Sequence, residues 1–249
     1  MAPAPTIDLA STWRHAVQWL LPTDCAGCGT PLTDDPIPFF CRACWAQIAP
    51  WRGPACSRCD RPFASPVATL YTPQHQCGPC RQRGPAYTRA WTPYAYEPPL
   101  QDAIVLLKYR SKVDLAAPLA DLLLAARPAW PDVDLIMPVP LHPDRLRERE
   151  FNQALLLADR VSRALGHPLS YTNLVRTKRT EHQTTLSRSA RLKNLRGAFA
   201  VRHPEAITGR RILVIDDVMT TGTTVNECAK ALRKAGSADV YVMTLARTL

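Results

Sequence analysis

Two groups of residues in this 249-residue sequence are of types and spacings that could do chemistry. The first is a set of cysteines. Eight of the nine fall in the first 80 residues, as the pairs Cys25/Cys28, Cys41/Cys44, Cys56/Cys59 and Cys77/Cys80. Each is Cys-x-x-Cys, the spacing at which a tight turn aims two thiolates at one tetrahedral ion. Intervals of 12, 11 and 17 residues between the pairs suit zinc ribbons. The loops between them, such as TPLTDDPIPFF, are proline-rich and have no helical period. Metal would therefore carry most of the folding energy of this stretch. The expectation is two structural zinc ions, each closed by four cysteines and so without an open position for catalysis. Sequential pairing is the simplest arrangement, and the spacing leaves interleaved pairing open. Cys228 lies in the helical stretch NECAKALRKAG and reads as a small core residue.

The second group is RILVIDDVMTTGTTVNECAKALRKAG. An apolar strand, Arg211–Ile215, ends in Asp216-Asp217; a loop follows over Val218–Thr224, and then a helix over Thr224–Ala235 that stops at Gly236. In a parallel sheet, ligands bind at the carboxyl ends of strands. Gly222 permits close backbone approach, and the threonine hydroxyls and amides at a helix N-terminus form a phosphate cradle. Two acids at the strand tip can accept hydrogen bonds from vicinal hydroxyls. A phosphate cup beside a diol clamp is what a ribose 5-phosphate requires. The pattern is neither a Walker A loop nor GxGxxG.

The elements that must position these groups follow from composition and period. The chain is 46% hydrophobic and 21% charged, which excludes a disordered protein and supplies at least one core. From about residue 90, helical periods alternate with short apolar runs: helices over Leu100–Tyr109, Asp114–Arg127 and Phe151–Leu165, the last stopped by Gly166, and strands at 134–140, 211–215 and 240–245. That alternation predicts an α/β fold with parallel strands and right-handed crossovers. The cysteine-bearing segment, 1–88, reads as a short amphipathic helix (Thr12–Leu21, with Trp13, Val17, Leu20 and Leu21 on one side) plus a double ribbon; 89–249 reads as the main domain. No apolar run reaches the roughly 18 residues of a membrane span. The N-terminus lacks the pattern of an export signal, so a cytoplasmic location is expected, where paired thiols favour metal over disulfide.

The stretch 211–224 resembles the signature of type I phosphoribosyltransferases, which bind 5-phosphoribosyl-1-pyrophosphate. The resemblance implies that Asp216 and Asp217 hold the ribose hydroxyls at the catalytic centre, and that Thr220, Thr221, Gly222, Thr223 and Thr224 hold the 5-phosphate. The wider order is similar to the ComF family: a Cys-rich N-terminus, LKY, MPVPLHP, FNQA, the stretch RTKRTEHQTTLSRSARLKNLRGAF, and the IDD motif. That resemblance covers nearly the whole chain from about Leu20. It implies a zinc-ribbon module fused to a phosphoribosyltransferase-like domain, Mg²⁺ accompanying the pyrophosphate, and a role in DNA uptake during natural transformation beside a helicase-like partner. One position departs: Glu150 stands where the family usually has Gly, and a positive φ there would be strained.

In such folds the loop after the first strand, here Pro138–Pro143, holds pyrophosphate. Arg145, Arg147 and Arg149 follow it; one or two could reach the phosphates while the third stays solvated. Lys108 is a weaker candidate, and His142 either caps a turn or touches ligand. Residues 176–196 carry seven Lys/Arg and one acid, more than half of the chain's net +10. This segment reads as a solvated mobile loop, as a lid over the site, or as a contact for single-stranded DNA, with Lys178, Arg179, Gln183, Arg191 and Asn194 as candidates. Among Trp45, Trp51, Tyr71, Tyr87, Trp91, Tyr94 and Tyr96, most read as packing and some as platforms for bases. Whether the chain transfers the phosphoribosyl group to a base or amine is open. A glutaminase half is not expected, because its nucleophilic Cys is commonly N-terminal and the chain begins Met1-Ala2.

Overall fold

The computed structural model describes residues 24–126, 132–178 and 195–249, apart from 66, 71 and 73. The helix expected over Thr12–Leu21, and the candidates Tyr71, Arg179, Gln183, Arg191 and Asn194, lie outside these residues.

The strands β3 (Leu135–Pro138) and β6 (Arg211–Met219) are buried almost throughout, as β-branched and aliphatic runs are when both faces of a parallel sheet are covered. With β1 (Arg89–Trp91), β2 (Tyr94–Ala95) and β7 (Asp239–Arg247) they form one five-stranded parallel sheet. Its order is β1-β7-β6-β3, with β2 extending along β7 beyond β1. A second, antiparallel pair joins β4 (Leu174–Arg176) to β5 (Phe199–Val201), so the basic segment 176–196 connects the two strands of a hairpin.

Helices α1 (Leu100–Arg110), α2 (Ala116–Ala125) and α4 (Gln153–Leu165) cover one face; Ile104, Leu119 and Leu157 meet Leu213, Ile215 and Met243 of the sheet there. Helix α5 (Thr223–Lys234) and the hairpin cover the other, where Val225, Cys228 and Leu232 meet Ile212, Val214 and Val242. Cys228 is a fully buried core residue. Helix α4 begins where Asn152 Oδ1 accepts from Ala154 N–H at 3.0 Å, and stops at the left-handed Gly166. Among the described residues, no helix is long and apolar enough to cross a membrane.

Two differences from the sequence reading bear on the site. Strand β6 runs four residues past Ile215, because Asp216, Val218 and Met219 stay in register with Thr244, Ala246 and Arg247 of β7. The acids therefore sit within the strand, and the loop shortens to Thr220–Gly222. After Pro143 the chain forms a helix, α3 (Pro143–Arg149), capped by His142, whose Nδ1 accepts from Asp144 N–H at 3.3 Å.

The cysteine segment packs into both halves of this core. Cys25, Leu32, Phe40 and Cys44 join the face of α1 and α2, whereas Cys56, Cys59, Cys77 and Cys80 join the face of α5.

Candidate functional site

The cysteines assemble sequentially. The sulfurs of Cys25, Cys28, Cys41 and Cys44 lie within 4.8 Å of one another, as do those of Cys56, Cys59, Cys77 and Cys80. The Cys28–Cys41 and Cys59–Cys77 sulfurs are both 3.7 Å apart. A zinc–sulfur bond of about 2.3 Å in a tetrahedron puts neighbouring sulfurs about 3.8 Å apart, so both groups fit the ion. Backbone amides support the ligands: Cys41 N–H donates to Cys25 Sγ at 3.2 Å and Cys77 N–H to Cys56 Sγ at 3.3 Å. Four cysteines in each group leave the metal a structural role.

The second centre lies where β6 meets α5. Asp216 and Asp217 are 9% and 3% exposed, and their surroundings differ. Asp217 forms an ion pair with Lys108 Nζ at 2.8 Å, which brings the end of α1 to the sheet. Burial opposes the charge on Lys108, but Asp217 and Asp216 outweigh it and raise the lysine's pKa. The Asp216 carboxyl accepts from Asp217 N–H at 2.9 Å and is pushed up to about 8, first by burial and then by the Asp217 charge.

Gly222 takes φ +76°, the left-handed conformation that turns the strand into the helix. The Thr221 and Thr223 hydroxyls lie 2.8 Å apart, and Thr223 N–H donates to Thr221 Oγ1 at 3.4 Å. Thr220, Thr221, Gly222 and Thr224 are half-buried and Thr223 is buried. Four threonines and a glycine therefore surround the first turn of a 12-residue helix, whose free amides and dipole favour an anion.

Of the arginines on α3, Arg147 is 77% exposed and pairs with Asp144 on its own helix. Arg145 is half-buried and bonds Glu148 at 3.3 Å, while Arg149 bonds Gln153 Oε1 at 3.0 Å and stacks over the Tyr109 ring at 5.0 Å. Glu150 caps the helix at φ +66°, the strained conformation that the family's Gly would adopt freely. Lys178 Nζ donates to Arg196 O at 3.0 Å and pins together the two ends of the basic segment.

Three residues escaped the sequence reading. Arg176 on β4 lies near Asp216 and Arg145, and burial lowers its pKa. Glu227, buried on α5, accepts from Gly197 N–H at 3.0 Å. Arg247, 4% exposed, donates to Cys59 O at 2.7 Å. Arg176 and Glu227 lie within the stretches quoted above, but no role was assigned to either, and tertiary placement gives each of the three its meaning.

Comparison with known proteins agrees with this architecture. Residues 152–248 match the phosphoribosyl transferase domain and residues 16–81 the double zinc ribbon domain. The chain is 35% identical over 226 residues to the DNA utilization protein YhgH of Escherichia coli K12, covering 86% of this chain and 99% of that one. It is 35% identical to competence protein F of Haemophilus influenzae, over 84% of this chain and 90% of that one. Against competence protein ComFC of Bacillus subtilis it is 28% identical, with 84% of each chain covered. A double zinc ribbon joined to a phosphoribosyltransferase-type α/β domain, with relatives of this extent, places the chain in the ComF family.

Proposed function

We propose that this chain binds 5-phosphoribosyl-1-pyrophosphate at the junction of β6 and α5, and that it serves DNA uptake from the cytoplasm. One observation carries the ligand reading: a buried acid pair at the carboxyl end of a parallel strand runs directly into Thr220–Thr224 at a helix N-terminus. The threonine loop holds the 5-phosphate, and Asp216 and Asp217 accept from the ribose 2- and 3-hydroxyls. Lys108 holds Asp217 in place for that contact. Arg145 and Arg149 are the half-buried cations of α3 available to the pyrophosphate. A pyrophosphate–diol ligand brings oxygen donors of the kind Mg²⁺ prefers, and the ion would neutralise the leaving group. The role in DNA uptake, beside a helicase-like partner and single-stranded DNA, is supported by the names of the relatives and by the +6 charge of 176–196.

Calorimetric titration of phosphoribosyl pyrophosphate with Mg²⁺ into the wild type and the Asp216→Ala/Asp217→Ala variant tests the site. Binding by the wild type that the double variant loses is expected; a wild type that does not bind sinks the reading. A second reading, transfer of the phosphoribosyl group to a base or amine with release of pyrophosphate, is favoured by the complete acid pair and threonine loop. Transfer would form a carbon–nitrogen bond at ribose C1 as the bond to pyrophosphate breaks. The protein's part would be positioning and charge stabilisation. Pyrophosphate release across a panel of bases separates the two.

A further inference from the structure

The second cysteine group is connected to the phosphate loop by polar contacts that a simple fold staple would not need. Arg247 sits at the end of β7, paired in register with Met219 at the end of β6. Its guanidinium donates to Cys59 O at 2.7 Å and to Thr92 Oγ1 at 3.2 Å, and lies 2.7 Å from Met219 Sδ. Thr92 N–H donates in turn to Asp60 Oδ2 at 2.6 Å, the residue after Cys59. One buried cation thus joins the Cys56–Cys59 turn to the ends of two central strands.

Met219 carries the connection onward. A Cβ placed on Gly222 would lie 3.5 Å from Met219 Sδ and 3.8 Å from Tyr87 Oη, so thioether and phenol together form the floor of the loop. A second strut leaves the same cysteine group from its other end. The segment after Cys80 brings Ala86 N–H to Asn226 Oδ1 at 2.7 Å, in the first turn of α5. The first group points elsewhere: a Cβ on Gly27 would meet Pro99, which precedes α1, at 3.5 Å.

We propose that the second four-cysteine group is a positioning element of the phosphate loop, acting through Arg247 and Met219 on one side and Ala86 and Asn226 on the other. Metal in that group and order in residues 219–226 are then one cooperative unit, whereas metal in the first group is not coupled to the loop. The consequence for ligand affinity rests on the phosphate reading of this loop; the consequence for loop order does not.

Hydrogen exchange on the zinc-loaded full chain tests it, comparing wild type, Arg247→Met and Arg247→Lys with zinc counted in each. Loss of a charge-assisted hydrogen bond of this kind predicts exchange about tenfold faster across 219–226 in Arg247→Met. Arg247→Lys restores part of the protection, and residues 24–46 exchange as in the wild type. Phosphoribosyl pyrophosphate binding weakens in the same order. Wild-type exchange at 219–226 in Arg247→Met, or acceleration spread evenly over the chain, overturns the proposal. Should Arg247→Met fail to fold, Asn226→Ala severs the second strut and is judged by the same two outcomes. If the wild type binds no phosphoribosyl pyrophosphate, the phosphate reading falls and the exchange result alone decides the coupling.

Discussion

The turns Cys25–Thr30 and Cys56–Arg61 repeat each other bond for bond. In one, Cys25 N–H donates to Thr30 O and Gly29 N–H to Cys25 O, both at 2.8 Å; in the other, Cys56 N–H donates to Arg61 O at 2.8 Å and Asp60 N–H to Cys56 O at 2.9 Å. Gly29 and Asp60 occupy the same left-handed position, at φ +73° and +61°. Their surroundings differ. Cys28 is exposed, and the first group packs beside α1 and α2. All four cysteines of the second group are buried against the face of α5. Asp60 offsets its backbone strain with a carboxylate bond to Thr92, at the end of the edge strand. One local design thus serves two purposes, and the neighbours decide which.

The contrast is broken most sharply at the sulfurs. Cys59→Ser is expected to cost about 5 kcal/mol, because it removes a buried metal ligand and loosens the turn whose carbonyl accepts from Arg247. Cys28→Ser, at an exposed ligand, is expected to cost about 2 kcal/mol. Urea denaturation with zinc counted on each variant checks the ordering; equal costs would contradict it.

Helix α1 offers the next test, since it reaches the site from the first group's side. Lys108→Met leaves the buried Asp217 without its partner and is expected to cost about 3 kcal/mol in the same titration. Lys108→Met combined with Asp217→Asn should recover most of that loss.

Asp216 tests the site by pH. Its carboxyl is pushed up to about 8 in the folded chain, above its unfolded value of about 4. A raised acid stabilises below its unfolded pKa, and that contribution is lost as pH rises through the folded one. The ligand-free wild type should therefore lose thermal stability between about pH 4 and pH 8. Asp216→Asn, neutral at every pH, should melt above the wild type at pH 9 and by a much smaller margin at pH 5. An unchanged difference at both pH values would contradict the burial argument. Such a cost is expected of a group kept for binding.

The smallest effect compares two left-handed residues. Glu150 shares the conformation of Asp60, but its side chain is exposed and its amide merely closes α3 onto Leu146 O at 2.8 Å. Glu150→Gly is expected to stabilise the chain by about 0.5–1 kcal/mol, read as a rise in denaturation midpoint.

What the sequence made legible was local. Cysteine spacing is set within one turn, so the metal-binding residues could be read directly, and the step from Ile215 through Thr224 into a helix is continuous chain. Pairing between the four turns is a tertiary matter, which spacing left open. Strands β1 and β2 span three and two residues, too short for alternation to register, and they exist because β7 offers them an edge. Strand β6 outlasted the apolar run because register with β7 held the acids in the sheet. Glu150 was legible as a position at risk, and it does take a positive φ, +66°. Arg247 was illegible, one arginine among many until the fold sets it beside Cys59. Arg176 stood out only as the start of the RTK stretch, and its place near Asp216 is tertiary.

The most direct measurement is a hydrogen-exchange footprint of the zinc-loaded chain with and without phosphoribosyl pyrophosphate and Mg²⁺. Protection is predicted over residues 216–226 and over 80–87, the strut from the second cysteine group, with residues 24–46 unchanged. Protection centred on the first group, or none at 216–226 under saturating ligand, would contradict the account.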